Sequence, residues 1–246
     1  MTHPLDRPVW SALTSARQAS LAVGAGGALR LAPGYGVFAA SVDQSPECVA
    51  AIAALDQPEG VLAAVEAERT PVPPGMTVLK EAVLAQMILV DLAPARARDI
   101  AVEALTEADA PAMLALATLT EPGPFFERTH RLGDFFGVKQ DGRLLAMAGE
   151  RLKPDGFTEV SGVCAHPDAR GRGYAGALMR AVIERILARG ETAFLHSYAD
   201  NAGAIALYHS LGFAIRAPMQ MRMLAQSDLT QGDPAQGDLA KAEPGA

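Results

Sequence analysis

The stretch CAHPDARGRGYAG, Cys164 to Gly176, decides how this chain is read. It sets three glycines and two arginines between the strand-like run FTEVSGV and a segment with helical apolar spacing, YAGALMRAVIERILARG. A strand, a glycine-rich turn and a helix in that order leave free backbone N–H groups and a helix N-terminus facing outward, the geometry that receives an anion. Arg170, Gly171, Arg172, Gly173, Tyr174, Ala175 and Gly176 fill this turn and the first helical turn. Three readings compete: an ordinary turn with solvated arginines, a dinucleotide loop, or a cradle for another phosphate. The glycines match G-x-G-x-x-G from Gly171, but that motif opens the first strand–helix–strand unit of its fold, and here it comes late, after an antiparallel hairpin. No Gly-Lys-Ser/Thr follows, which excludes a Walker-type loop.

Working outward, 246 residues suit one large domain or two small ones, and half of them are hydrophobic. No uninterrupted apolar run approaches the roughly 18 residues of a membrane span. The start, MTHPLDRPVW, lacks a basic region followed by an apolar core, so no signal peptide is expected. Cys48 and Cys164 lie far apart without metal-ligand spacing, which predicts a reduced, cytoplasmic setting and no metal. A net charge of −7 argues against general nucleic-acid binding, though not against a small anion held by one local patch.

Before the loop, PVWSALTSARQAS (8–20) reads as a short helix with Pro8 at its start, and ALRLA and VFAASVD as strands around the turn PGYG. SPECVAAIAALDQ predicts a helix capped by Ser45, GVLAAVEAE a strand, and TVLKEAVLAQMILV one or two strands, although its composition would also suit a helix. DLAPARARD (91–99) is a plausible linker. Thr106 caps the helix in TEADAPAMLALATL, and DFFGVKQDGRLLAMAGERL is a hairpin turned at Asp141-Gly142. After the loop helix come the strand TAFLHSYAD, the helix NAGAIALYHSLGF stopped at Gly212, and a last strand, MQMRML. The polar, aperiodic remainder predicts a disordered tail.

From about Ile100 to Leu224 the chain resembles the GCN5-related N-acetyltransferase (GNAT) superfamily, and within it the FR47-like group. The residues that carry this are VCAHPDARGRGYAGALM and, downstream, FLHSYADNAGAIALYHSLGF. Arg170-Gly171-Arg172-Gly173-Tyr174-Ala175 fits the family's coenzyme loop without a gap. The resemblance implies an α/β fold with a mixed, mostly antiparallel central sheet, a V-shaped splay between two parallel strands, and helices on both faces. A smaller α/β region of unknown role precedes it, a degenerate partner half being one reading of it. The domains expected are therefore 1–98, the acetyltransferase domain 99–225, and the tail 226–246. Acetyl-CoA is implied as co-substrate, its pantetheine arm along Val163, Cys164 and Ala165 and its pyrophosphate on the amides from Gly171 to Gly176. Asn201 matches an asparagine that contacts the coenzyme; it also suits a helix N-cap.

The implied reaction transfers an acetyl group to a primary amine by direct attack in a ternary complex. It needs a polarised carbonyl, a proton for the departing thiolate and a deprotonated amine. The resemblance places the acid at Tyr208, whose alternative is a core aromatic. For the base, alternation puts Glu159, Ser161, Val163 and Ala165 on one strand face and Cys164 on the other, and Glu159 lies eleven residues before Arg170, where related enzymes carry a glutamate. Glu150, on the neighbouring strand, is a rival; each has a solvated or salt-bridged alternative, and many members use a water chain. Phe125 and Phe126 fall where the family builds its acceptor wall. A small amine, an amino acid or a protein N-terminus all fit as acceptor, and a monomer or homodimer is expected. The alternatives are a non-catalytic acyl-CoA-binding or regulatory module and a nicotinamide-dependent oxidoreductase.

Overall fold

The structure, a computed structural model, describes residues 3–95 and 100–227. The expected tail from residue 228 on, and the last four residues of the expected linker with the boundary at 98/99, lie outside the described residues. The chain forms two compact units. One takes the residues up to Ala85, Leu152–Asp155 and those from Ala217 on; the other takes Gln86–Arg151 and Gly156–Arg216.

The first unit holds helix α1 (Pro8–Leu13), strands β1 (Ala22–Val23), β2 (Ala28–Leu31) and β3 (Ala39–Ser41), helix α2 (Pro46–Ala53), strand β4 (Leu62–Glu66) and the first part of β5 (Met76–Leu89). Strands β1, β2 and β3 form an antiparallel sheet in that order. The predicted cap holds: the Ser45 hydroxyl accepts from the Cys48 N–H at the head of α2. Helix α1 is shorter than its apolar pattern suggested. The Ser15 hydroxyl donates to the Ala12 carbonyl and accepts from the Gln18 N–H, and such local bonds compete with helical ones. Arg30 is fully buried and is held by Glu59 at 2.5 Å and by three backbone carbonyls. Burial of a charge on these terms requires that pairing.

The second unit begins in β5 and adds β6 (Glu103–Ala104), helix α3 (Ala110–Thr120), strands β7 (Phe135–Gln140), β8 (Arg143–Glu150) and β9 (Phe157–Ala165), helix α4 (Tyr174–Ala188), strand β10 (Thr192–Tyr198), helix α5 (Ala202–Leu211) and the first part of β11 (Phe213–Gln226). Across its sheet β5 is followed by β10, β9, β8, β7 and β6. The β7–β8 hairpin turns where the sequence predicted, with Asp141 and Gly142 both at positive φ (52° and 75°). Strands β6, β7, β8 and β9 pair antiparallel in turn, whereas β9 and β10 run parallel.

Two features of β9 shape what lies around it. Its parallel pairing with β10 covers only Phe157, Thr158 and Glu159, so from Val160 to Ala165 it is laddered on the β8 side alone. The splay expected between the parallel strands is this divergence. The second feature is a bulge. Ala165 and Cys164 pair with Ala146 and Met147, whereas Ser161 and Val160 pair with Gly149 and Glu150, so β9 carries one extra residue. Gly162 supplies it at φ 62°, a backbone conformation that glycine adopts without strain.

The bulge corrects the predicted faces of β9. Glu159 and Ser161 share the face of Cys164, Met147 and Gly149; Val160 and Ala165 take the other. Cys164 and Met147 pack with Met113, Leu116 and Ala117 of α3. The opposite face carries α4, whose C-cap residue Arg189 reaches Glu150 at 2.6 Å. Helices thus cover both faces, and Glu150 and Glu159, the rivals on neighbouring strands, point to opposite ones.

Candidate active site

The glycine loop sits between a short 3₁₀ turn, Pro167–Ala169, and α4. Arg170, Gly171 and Arg172 are exposed, and the Arg172 guanidinium donates to the Asp168 carbonyl at 3.0 Å. Gly171 and Gly173 take positive φ values of 74° and 83°. Gly173 is the N-cap of α4 and has no side chain with which to cap it. The amides of Tyr174, Ala175 and Gly176 therefore open the helix without a side-chain partner, at its positive end. Two arginines stand beside them. Val163, Cys164 and Ala165 end the laddered stretch of β9 that lacks β10 as a neighbour.

This arrangement fits an extended ligand ending in a pyrophosphate. The backbone of β9 offers unpaired groups along one edge, and uncapped amides with two cations follow at its end. Asn201 caps α5, its side-chain oxygen accepting from the Ala204 N–H at 3.0 Å. Tyr208 lies on α5, half-buried, its ring edge-on to Phe213 with centroids 6.4 Å apart. Its hydroxyl has no hydrogen-bond partner among the described residues, and burial pushes its pKa up. A protonated phenol without a partner has a proton to donate.

Glu159 is not placed as a base. It is completely buried, and both oxygens are taken. The Arg151 Nε and Nη2 each donate to it at 2.8 Å, and the His196 Nδ1 lies 2.7 Å from Oε1. Burial alone would raise its pKa, but the charge and hydrogen bonds of Arg151, with those of His196, outweigh it and hold the carboxyl at about 2. Such a group is a weak proton acceptor. Glu150 is equally committed, fully buried against Arg189. Cys164 is buried, and burial pushes its thiol up to about 11 despite a bond with Thr120, so it is no nucleophile.

Sequence reasoning missed the group that Glu159 belongs to. The Gln86 side-chain nitrogen lies 3.0 Å from the His196 Nε2, and the Gln86 oxygen accepts from Arg216 at 2.7 Å. Because the Gln86 oxygen is used by Arg216, its NH₂ donates to the His196 Nε2, which leaves Nδ1–H to donate to Glu159. None of these residues stands at a spacing that would have linked them. On the same face of β9 a small cleft is lined by Gly123, Phe125, Arg151, Ser161 and Gly162. Phe125 packs edge-on against Phe135, centroids 5.8 Å apart. Among the described residues, no group of three or more His, Cys, Asp or Glu could hold a metal, and no helix is long and apolar enough to cross a membrane.

A splayed parallel pair with a glycine loop and an uncapped helix at its mouth defines a class of α/β proteins, and comparison with known proteins supplies the family. The model of the FR47-like protein family matches residues 136–222. A solved structure from Novosphingobium aromaticivorans DSM 12444, assigned to the GNAT family of acetyltransferases, is 48% identical, covering 92% of this chain and all of that one, with a TM-score of 0.85. A GCN5-related N-acetyltransferase from Kribbella flavida, 19% identical, shares the fold with a TM-score of 0.60 over 88% of this chain and 95% of that one. The [Ribosomal protein bS18]-alanine N-acetyltransferase of Escherichia coli K12 is 37% identical over 79 residues, 32% of this chain and 53% of that enzyme. The chain thus matches about half the length of that relative. It belongs to the GNAT family of acetyltransferases.

Proposed function

We propose that the chain is an acetyl-CoA-dependent N-acetyltransferase that acetylates a primary amine by direct attack in a ternary complex, with residues 99–225 carrying the activity in a cytoplasmic setting. The observation behind this reading is the run of β9 from Val160 to Ala165, unpaired toward β10 and leading into the uncapped head of α4. When bound, acetyl-CoA supplies an acetyl thioester. Backbone groups of Val163, Cys164 and Ala165 hold the pantetheine arm, and an N–H there donates to the carbonyl oxygen. The amides from Gly171 to Gly176, with Arg170 and Arg172, hold the pyrophosphate, and the NH₂ of Asn201 is placed to bond the coenzyme while its oxygen caps α5.

The amine nitrogen forms a bond to the acetyl carbon as the carbon–sulfur bond breaks, and Tyr208 gives its proton to the departing sulfur. With Glu159 and Glu150 both locked in ion pairs, the amine's proton leaves to water. The acceptor is a small amine, an amino acid or a protein N-terminus; the name of the Escherichia coli relative points to the last. Tyr208→Phe tests the reading. It should lower kcat by about 100-fold while leaving the melting temperature and acetyl-CoA binding in place. Unchanged turnover would remove Tyr208 as the acid; acetyl-CoA binding without turnover in the parent protein would favour a non-catalytic binding module.

A further inference from the structure

We propose that His196 is a positioning residue: its bond to Glu159 pins the point at which β9 and β10 part, and so holds in place the edge of β9 that takes the coenzyme. The proposal rests on the acetyl-CoA reading and deepens it.

The bond stands at the fork itself. Phe194 and Glu159 are the last paired residues of the parallel ladder, and His196 lies two residues further along β10 on the same face. From there its Nδ1 reaches back to Oε1 of Glu159 at 2.7 Å. The His196 side chain is 4% exposed, and its ring sits edge-on to Phe194 with centroids 5.7 Å apart. Both ends of the tie are therefore buried where the backbone rungs between the two strands run out.

The tie is also anchored from both sides. Arg151 directly after β8, Glu159 of β9, His196 of β10, Gln86 of β5 and Arg216 of β11 follow the order of five neighbouring strands. Each side chain bonds the next, so one polar chain crosses the sheet where the splay begins. Buried ion pairs are costly to desolvate and add little stability by themselves; fixing a register is their best-attested use. A shift or fraying of the β9–β10 ladder would pull the imidazole from the carboxylate and leave buried polar groups unpaired. The bulge at Gly162 bends β9 just beyond the fork, and the Glu159–His196 bond holds the ladder closed up to it. An edge fixed before its ligand arrives loses less entropy on binding, and an edge formed only part of the time binds in proportion to that fraction.

The experiment compares the parent protein with His196→Leu, which breaks the tie, and with His196→Asn, whose side-chain NH₂ stands near the place of Nδ1–H and keeps a donor for Glu159. Gln86→Met removes the group behind His196 and decides the matter where His196→Leu does not fold. Thr158→Val is the control. It removes a bond of 2.6 Å to Glu191, the residue before β10, on the laddered side of the fork. Acetyl-CoA binding is measured by calorimetry, with the melting temperature and, without coenzyme, amide hydrogen exchange over 157–160 and 192–196. His196→Leu should weaken acetyl-CoA binding about 10-fold and speed exchange in both stretches, and Gln86→Met should do so to a smaller extent. His196→Asn should return both towards parent values. Thr158→Val should lower the melting temperature and leave acetyl-CoA binding unmoved. Parent-like binding and exchange in folded His196→Leu or Gln86→Met overturns the assignment, as does His196→Asn no better than His196→Leu. Equal weakening in Thr158→Val also overturns it, since lost stability alone would then explain the effect. If the parent does not bind acetyl-CoA, the acetyl-CoA reading fails, and exchange in the two His196 variants alone decides the pin.

Discussion

Tyr208 and Glu159 are pushed in opposite directions by their surroundings, and each direction has a consequence in pH. Burial raises the Tyr208 phenol above its ordinary value of 10.0, so the protonated, donating form persists further into the alkaline range. The alkaline limb of kcat should therefore lie above that value, and Tyr208→Phe should abolish the limb along with most of the rate. Glu159 is the reverse case. Its carboxyl is held at about 2 against an ordinary 4.5, so its contribution to stability is present above the unfolded value and is lost as pH falls through the folded one. Glu159→Gln should cost about 3 kcal/mol near neutral pH, because it removes the charge that faces the Arg151 cation. Chemical denaturation should show that difference closing between pH 4.5 and about 2. A constant difference across that window would mean the carboxyl is not ionised in the fold.

At the scale of elements, the strand β9 carries the account, and its bulge is the part most easily tested. Gly162→Ala places a side chain at φ 62°, with its Cβ 3.1 Å from the Phe135 ring. The substitution should destabilise by about 1–2 kcal/mol. Parent-like stability would mean the bulge does not need a left-handed residue. The same bulge explains what could be read in advance. Asp141-Gly142 and the Gly171–Gly173 loop were legible because their residue types announce the positive φ angles they adopt. The faces of β9 were not, because alternation assumes an unbroken ladder, and the one extra residue at Gly162 moved Glu159 from the expected side to the side of Cys164. A lone glycine inside a strand pattern was the available sign of that bulge. Nothing in sequence spacing links Arg151, His196, Gln86 and Arg216, which lie on four different parts of the chain and meet only through folding. The end of α1 was missed for a local reason, the bonds made by Ser15.

For the molecule as a whole, the strands β5 and β11 each run from one compact unit into the other, so neither unit is a single continuous segment. The chain carries a net charge of −7, yet the proposed co-substrate is itself an anion. The proposal therefore rests binding on local cations and amides at the head of α4, and the thermal shift with acetyl-CoA, CoA and NAD(H) side by side tests it most directly. At 100 times its dissociation constant, acetyl-CoA should stabilise the protein by about 2.7 kcal/mol, a rise of several degrees for a chain of this size. NAD(H) should give none. A rise with acetyl-CoA and CoA alone is the predicted result; no rise with either, or a rise with NAD(H) alone, would contradict the assignment of the glycine loop and the acetyltransferase reading built on it.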